Sequence, residues 1–157
     1  TMPKPGNSKQ RDKAFQHRIV SQIWINIALV ELIFLYGIIF RFYTFFGWVI
    51  IADRYLWDTL IDFELRFKDF KIENLIFWKI LVLISPCPNH SFIITISNEE
   101  SLRRSNLKNE PFSESLKERK KRSDKYKDLI YLNKWKTNIN GMAPVEQIWS
   151  KIHHELV

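Results

Sequence analysis

Cysteine and glycine are scarce in this sequence. Of its 157 residues one is cysteine, Cys87, so no internal disulfide forms, and a lone cysteine is ordinary in a reducing compartment. Four are glycine, Gly6, Gly37, Gly47 and Gly141, and none begins a Gly-x-x-x-x-Gly-Lys-Ser/Thr loop, so the backbone cradle such a loop makes for phosphates is not encoded. Gly-x-Ser-x-Gly is absent too, which leaves a nucleophile-elbow hydrolase without its central motif. The four histidines offer no zinc spacing: His17 and His90 are isolated, and the adjacent His153 and His154 point to different helix faces. Thr1 to Gln10 is polar and basic, without the apolar core or cleavage site of a secretory signal, and predicts a cytoplasmic protein.

What is present is a globular composition, 46% hydrophobic and 26% charged. A domain of this length buries roughly two thirds of its unfolded surface and needs no metal or disulfide staple. The net charge of +7 is uneven: residues 99–136 hold twelve basic and seven acidic side chains, while 1–98 hold eleven and eight. Such a window suits nucleic acid, an anionic membrane or the phosphates of a small ligand. It equally suits a solvated helix face, since Glu114, Glu118 and Arg122 follow four-residue spacing. Its densest run, Lys117 to Arg122, contains no aromatic residue on which bases could stack, so no nucleic-acid partner is expected.

Along the chain, a basic tail (1–13) precedes a long apolar stretch, 14–46, whose length excludes a strand. Gln22, Asn26, Glu31 and Arg41 interrupt it, which favours a helix buried on most sides and bent near Gly37 over a bilayer span. Trp48 to Ala52 reads as a central parallel strand ending in Asp53-Arg54, followed by a helix with Leu56, Trp57, Leu60 and Ile61. An apolar helix, Ile72 to Ile84, stops at Ser85-Pro86-Cys87-Pro88. Phe92 to Ile96 is a second strand, and Ser97 with Glu100 opens a helix carrying Arg103 and Arg104. A polar break precedes a charged helix from Phe112 to Asn133, then a short strand, Lys136 to Asn140, and an amphipathic helix begun by Pro144. The alternation predicts an α/β fold, a parallel sheet wrapped by helices.

The block WVIIADRYLWDTLID, Trp48 to Asp62, resembles the thymidylate kinase family of P-loop nucleotide kinases, in which a hydrophobic strand ends in Asp-Arg-Tyr and enters a helix. The resemblance continues in order over about residues 40–155. Ser85-Pro86-Cys87-Pro88-Asn89 stands in place of the family's Pro-x-Pro-Asp and FIITIS in place of its next strand. Glu99 to Arg104 stands in place of Glu-Glu-Ala-x-x-Arg, with Ser101 where the family has alanine. Lys108-Asn109-Glu110, Arg122 and Tyr126 look like the Lys-x-Glu and Arg-x-x-x-Tyr positions of a divergent kinase-like branch.

The resemblance implies a three-layer nucleotide kinase fold and transfer of the ATP γ-phosphate to a nucleoside monophosphate such as dTMP. Catalysis of this kind is mostly positioning and charge stabilisation. It assigns Asp53 to Mg²⁺, Arg54 to the acceptor phosphate, Tyr55 and Asp58 to the acceptor pocket, and Arg103, Arg104, Lys108 and Arg119 to a lid over the phosphates, with Arg104 the better match to the catalytic lid arginine. Residues 48–98 are then the core, 99–136 the lid-like basic region and 137–157 a closing strand and helix. The glycine-rich loop lies upstream of Asp-Arg-Tyr in the family, so the chain, which begins at Thr1, is expected to be an N-terminally incomplete C-terminal portion without turnover of its own, or a non-catalytic relative. The alternative is a membrane-associated protein using the apolar helix over 19–40. That helix would also suit a homodimer interface.

Overall fold

The computed structural model describes residues 17–108 and 114–156. The basic tail, the first residues of the expected helix 14–46, and Asn109 and Glu110 of the Lys-x-Glu match lie outside the described residues. The chain forms two compact units, Thr1–Cys87 and Pro88–Val157.

In the first unit, α1 (Arg18–Phe34), a π turn (Leu35–Ile39) and α2 (Phe40–Phe45) run on as one 28-residue helix. Gly37, near which the sequence predicts a bend, lies within this wider π turn. The helix ends because Gly47 takes φ 79°: its N–H donates to the Thr44 carbonyl and that of Trp48 to the Tyr43 carbonyl, each at 3.0 Å, a Schellman cap that only a residue without Cβ forms readily. α3 (Leu56–Arg66) follows, then a single 3₁₀ turn (Ile72–Asn74) and α4 (Ile76–Ile84). Ser21, Ile25, Leu29 and Tyr36 lie on the buried face of the long helix, whose α1 part packs on α4. Ile61, Ile72, Trp78 and Leu81 complete the core, and Trp24 meets Phe63 and Phe67 with ring centroids 6.2 and 5.6 Å apart. Arg41, a charge within the apolar run, has a structural partner: its Nε and Nη2 donate to the Ile84 carbonyl at 3.1 and 2.8 Å, closing the end of α4.

The second unit runs β1 (Phe92–Thr95), α5 (Asn98–Leu107), α6 (Leu116–Tyr131), β2 (Thr137–Asn140) and α7 (Val145–Leu156). β1 and β2 pair in parallel, Phe92 opposite Thr137 through Thr95 opposite Asn140, with α5 and α6 as the crossover that parallel pairing requires. Ile93 and Ile139 are buried. Ser115 and Glu118 complete a capping box at α6: the serine hydroxyl accepts the Glu118 N–H, and the Glu118 carboxylate accepts the Ser115 N–H at 2.9 Å.

The expected parallel sheet wrapped by helices does not form. The chain is mostly helical, and the described residues hold a single two-stranded sheet. Trp48 to Ala52, expected as a central strand, is irregular, and Val49 and Ile51 are 88% and 92% exposed. β-branched residues favour a strand only where a neighbour takes the backbone hydrogen bonds and packs the side chains, and the first unit has no strand among its described residues. The long helix also departs from expectation. It is buried along one face, while Ile19, Ile27, Phe34, Ile38 and Phe45 on its other sides are exposed. On α7 the apolar face is open as well, with Val145 and Trp149 exposed.

Gly141, just after β2, tests the second unit's packing. A Cβ there would stand 2.7 Å from Cγ2 of both Ile94 and Ile96 and 3.2 Å from the Thr95 carbonyl oxygen. Gly141→Ala is expected to cost about 1–3 kcal/mol, seen as a lower urea midpoint by circular dichroism. Met142→Ala at the exposed neighbouring position is expected to stay within about 0.5 kcal/mol.

Candidate functional site

The residues singled out from the sequence fall into both units. Asp53, Arg54, Tyr55 and Asp58 lie in the first, and Arg103, Arg104, Lys108 and Arg119 in the second.

In the first unit Asp53 and Arg54 form an exposed bend between the irregular Trp48 to Ala52 segment and α3. Arg54 has φ 76°, a left-handed conformation that costs a residue with a Cβ on the order of 1 kcal/mol. Its Nη2 meets the Asp62 carboxylate at 3.3 Å, and both side chains are well exposed. Asp62 is therefore a counter-charge of Arg54. Asp58 has a different role: its Oδ2 accepts the Tyr55 N–H at 3.1 Å and closes the first turn of α3.

Tyr55 is the anchored residue of the Asp-Arg-Tyr motif. Its hydroxyl donates to the Pro86 carbonyl at 3.0 Å, and its ring lies 4.6 Å from that of Tyr36 and stacks on Phe40 at 6.2 Å. Burial pushes its hydroxyl pKa above the ordinary tyrosine value, so it remains a donor at neutral pH. The Asp-Arg-Tyr and Ser-Pro-Cys-Pro segments, 31 residues apart at this bond, are joined by one hydrogen bond.

In the second unit Glu100 gathers the arginines of α5. Arg103 donates to both of its oxygens through Nε and Nη2, each at 2.7 Å, and Arg104 donates to Oε1 through Nε at 2.7 Å. Arg104 also donates through Nη2 to the Gly141 carbonyl at 3.1 Å, tying α5 to the end of β2. Arg119 of α6 donates to Ser101 Oγ at 2.7 Å and to the Glu114 carbonyl at 3.1 Å. Arg122 forms a 2.6 Å ion pair with Glu114, eight residues away, while Glu118 serves the cap of α6. Lys108 caps the end of α5 through its N–H and is exposed. Tyr126 packs on Trp135 with centroids 5.8 Å apart.

Sequence reasoning missed Glu100 as the centre of this cluster. The signal was there, because Arg103 and Arg104 follow it at the i+3 and i+4 positions that share its helix face. The Arg119 to Ser101 bond left no such trace, since it depends on how α5 and α6 pack.

For metal, no group of three or more His, Cys, Asp or Glu side chains able to hold an ion occurs among the described residues. Asp53 is a lone exposed carboxylate. That fits the way Mg²⁺ is held in phosphate chemistry, by one or two carboxylates with water and phosphate oxygens supplying the rest. A shallow depression along α7, lined by Glu146, Lys151 and His154 among others, contains none of the residues singled out from the sequence.

Comparison of the chain with protein families, with characterised proteins and with solved structures finds no match.

The Glu100 cluster has a pH signature. Hydrogen bonds from Arg103 and then Arg104 pull the Glu100 pKa from 4.5 to about 2. Because the folded value is depressed, the pairing is fully present above the ordinary carboxylate range and is lost as pH falls toward 2. A carboxyl NMR titration is expected to give a midpoint of about 2 for Glu100, moved upward by Arg103→Ala. A midpoint near 4.5 in the parent would show that the arginines do not hold it in solution.

Proposed function

We propose that this chain supplies the acceptor and lid parts of a thymidylate kinase-like phosphotransferase that moves the γ-phosphate of ATP to a nucleoside monophosphate such as dTMP in the cytoplasm. The observation that carries the reading is the strained, exposed Arg54 held at the start of α3 by an anchored Tyr55. A left-handed non-glycine residue persists only where its surroundings over-determine it, and such residues cluster at binding sites. Here it falls on the arginine that the ordered motifs assign to the acceptor phosphate. Further support comes from the bond between Tyr55 and Pro86, which joins two motifs of the resemblance.

In this reading the planar fork of Arg54 grips phosphate oxygens in place of Asp62, whose contact at 3.3 Å is long for an ion pair and exposed to water. Tyr55 and Asp58 fix the loop that presents it. Asp53 would hold Mg²⁺, which would draw charge from the phosphate oxygens. Arg103, Arg104, Lys108 and Arg119, all in the second unit, are the arginines and lysine that the ordered motifs assign to a phosphate-binding lid. The donor phosphates need a cradle that this chain's four glycines do not form, so the activity belongs to a full-length protein and not to these residues alone.

The test is phosphoryl transfer from ATP to a panel of nucleoside monophosphates by the full-length protein. Arg54→Ala is expected to lower kcat/KM by about 100-fold or more, the scale of one lost charge-stabilising contact. Asp62→Ala, which removes only the resting partner, is expected to leave it within a few-fold. Absence of transfer to every nucleotide, or an intact rate in Arg54→Ala, would overturn the reading.

A second reading rests on the exposed apolar sides of the Arg18–Phe45 helix. At 28 residues it measures about 42 Å, longer than the roughly 30 Å hydrocarbon core of a bilayer. Exposed Glu31, close to its midpoint, opposes insertion. Alkaline carbonate extraction separates the two: the phosphotransferase is expected in the soluble fraction, and retention until detergent is added would favour the bilayer.

A further inference from the structure

Two helices of the second unit begin with the same signal, serine followed three residues later by glutamate, and the two glutamates behave differently. At α6 the carboxylate of Glu118 turns back to the Ser115 N–H and closes the box. At α5 Ser97 accepts the Glu100 N–H at 3.2 Å, but the Glu100 carboxylate turns forward along the helix and is shared by two guanidinium groups. Its side chain is 14% exposed, against 63% for Arg103 and 47% for Arg104. The carboxylate is therefore covered by the arginines, and the arginines face water.

We propose that Glu100 is a positioning residue that sets Arg103 and Arg104 as a preformed fork for the phosphate chain of a nucleotide. The proposal rests on the phosphotransferase reading and names how that reading's lid arginines are held. Two adjacent arginines repel each other, and each loses rotamer freedom when it grips an anion. Glu100 removes both costs in advance: its charge lies between the two cations, and its oxygens fix both Nε atoms. Arg104 is fixed a second time by the Gly141 carbonyl, so one arm of the fork keeps a set place relative to the end of β2. The bond from Arg119 to Ser101 brings a third guanidinium against the residue next to Glu100. The depressed pKa of Glu100 agrees with a carboxylate that stays charged at any pH where a nucleotide is bound.

The alternative role, a helix-stabilising ion pair whose negative charge bears on a ligand only by repelling it, predicts the opposite sign. If Glu100 acts on an anion through its charge alone, neutralising it tightens phosphate binding. If it positions the fork, neutralising it loosens binding, because a neutral amide oxygen cannot hold both guanidinium groups.

Tripolyphosphate titrated into the 157-residue chain at low ionic strength, followed through arginine Nε–H NMR signals, reads this sign. Circular dichroism confirms that each variant is folded. Glu100→Gln is expected to weaken binding by about tenfold through lost preorganisation. Glu100→Asp, which keeps the charge but loses the reach, is expected to weaken it as well. Binding that is unchanged or tighter in Glu100→Gln, or no binding by the parent chain, overturns the fork. Weakening in both variants, together with no phosphoryl transfer by the full-length protein, leaves the fork standing and overturns the phosphotransferase reading. Transfer together with unchanged or tighter binding in Glu100→Gln does the reverse.

Discussion

A parallel strand is stable only where a neighbouring strand takes up its backbone N–H and C=O groups, and that requirement arranges most of what this chain does. β1 and β2 satisfy it for each other across four registered pairs, at the expense of a crossover that must contain α5 and α6. Everything in the arginine cluster is placed by that ladder. Ser97, two residues beyond β1, starts α5 and so sets the direction in which Glu100, Arg103 and Arg104 leave the helix. Gly141, directly after β2, offers the carbonyl that Arg104 takes, and a side chain there would collide with Ile94 and Ile96. Trp48 to Ala52 has the composition of a strand but no ladder, so most of its side chains stay in water and its backbone stays irregular.

The Asp53-Arg54 bend is consequently held from one side. Nothing regular precedes it, so its geometry is set by Tyr55 and the first turn of α3. The Asp58 carboxylate fixes the Tyr55 N–H, the Tyr55 hydroxyl is held by Pro86, and its ring is held by Tyr36 and Phe40. Three anchors on one residue are enough to carry the left-handed backbone of its neighbour, whose cost is on the order of one lost hydrogen bond. The same local logic governs the long helix. Its inner face is closed by contacts with α4 and by Arg41 on the Ile84 carbonyl, while the outer face has no partner among the described residues of the first unit.

Features set by a few neighbouring residues were legible in the sequence. The capping serine at 97, the proline stop at 86 and the last helix after Pro144 all come from short-range rules, and each lies where those rules put it. Features that need a distant partner were not legible. Trp48 to Ala52 and Phe92 to Ile96 look alike as sequence, yet only the second finds a strand to pair with, and periodicity cannot tell them apart. Burial of the long helix on most sides fails as an expectation for the same reason, because which of its faces is covered depends on elements elsewhere. Within the candidate site, Asp58 stands three residues after Tyr55, the spacing of a helix start, and takes that role. Asp62 reads as a surface charge and faces Arg54, a contact that depends on how a bend folds back onto α3 and that no spacing rule contains.

The positive charge divides in a way that composition hides. The arginines at 103, 104, 119 and 122 are tied to carboxylates, carbonyls or a serine hydroxyl. By contrast, Lys117, Lys120 and Lys121 lie exposed along α6. That partition reflects the chemistry of the two side chains: the planar guanidinium loses little freedom per hydrogen bond and suits fixed geometry, whereas the compact, strongly hydrated ammonium keeps its water. A field of hydrated lysines raises the local concentration of any polyanion and does not select among them. Selection has to come from groups whose directions are set before the ligand arrives, and in this unit those are the arginines whose places Glu100 and the Gly141 carbonyl decide. Under the proposed fork, attraction and recognition would fall to different residues of one basic window, and only the second would depend on a negative charge within it.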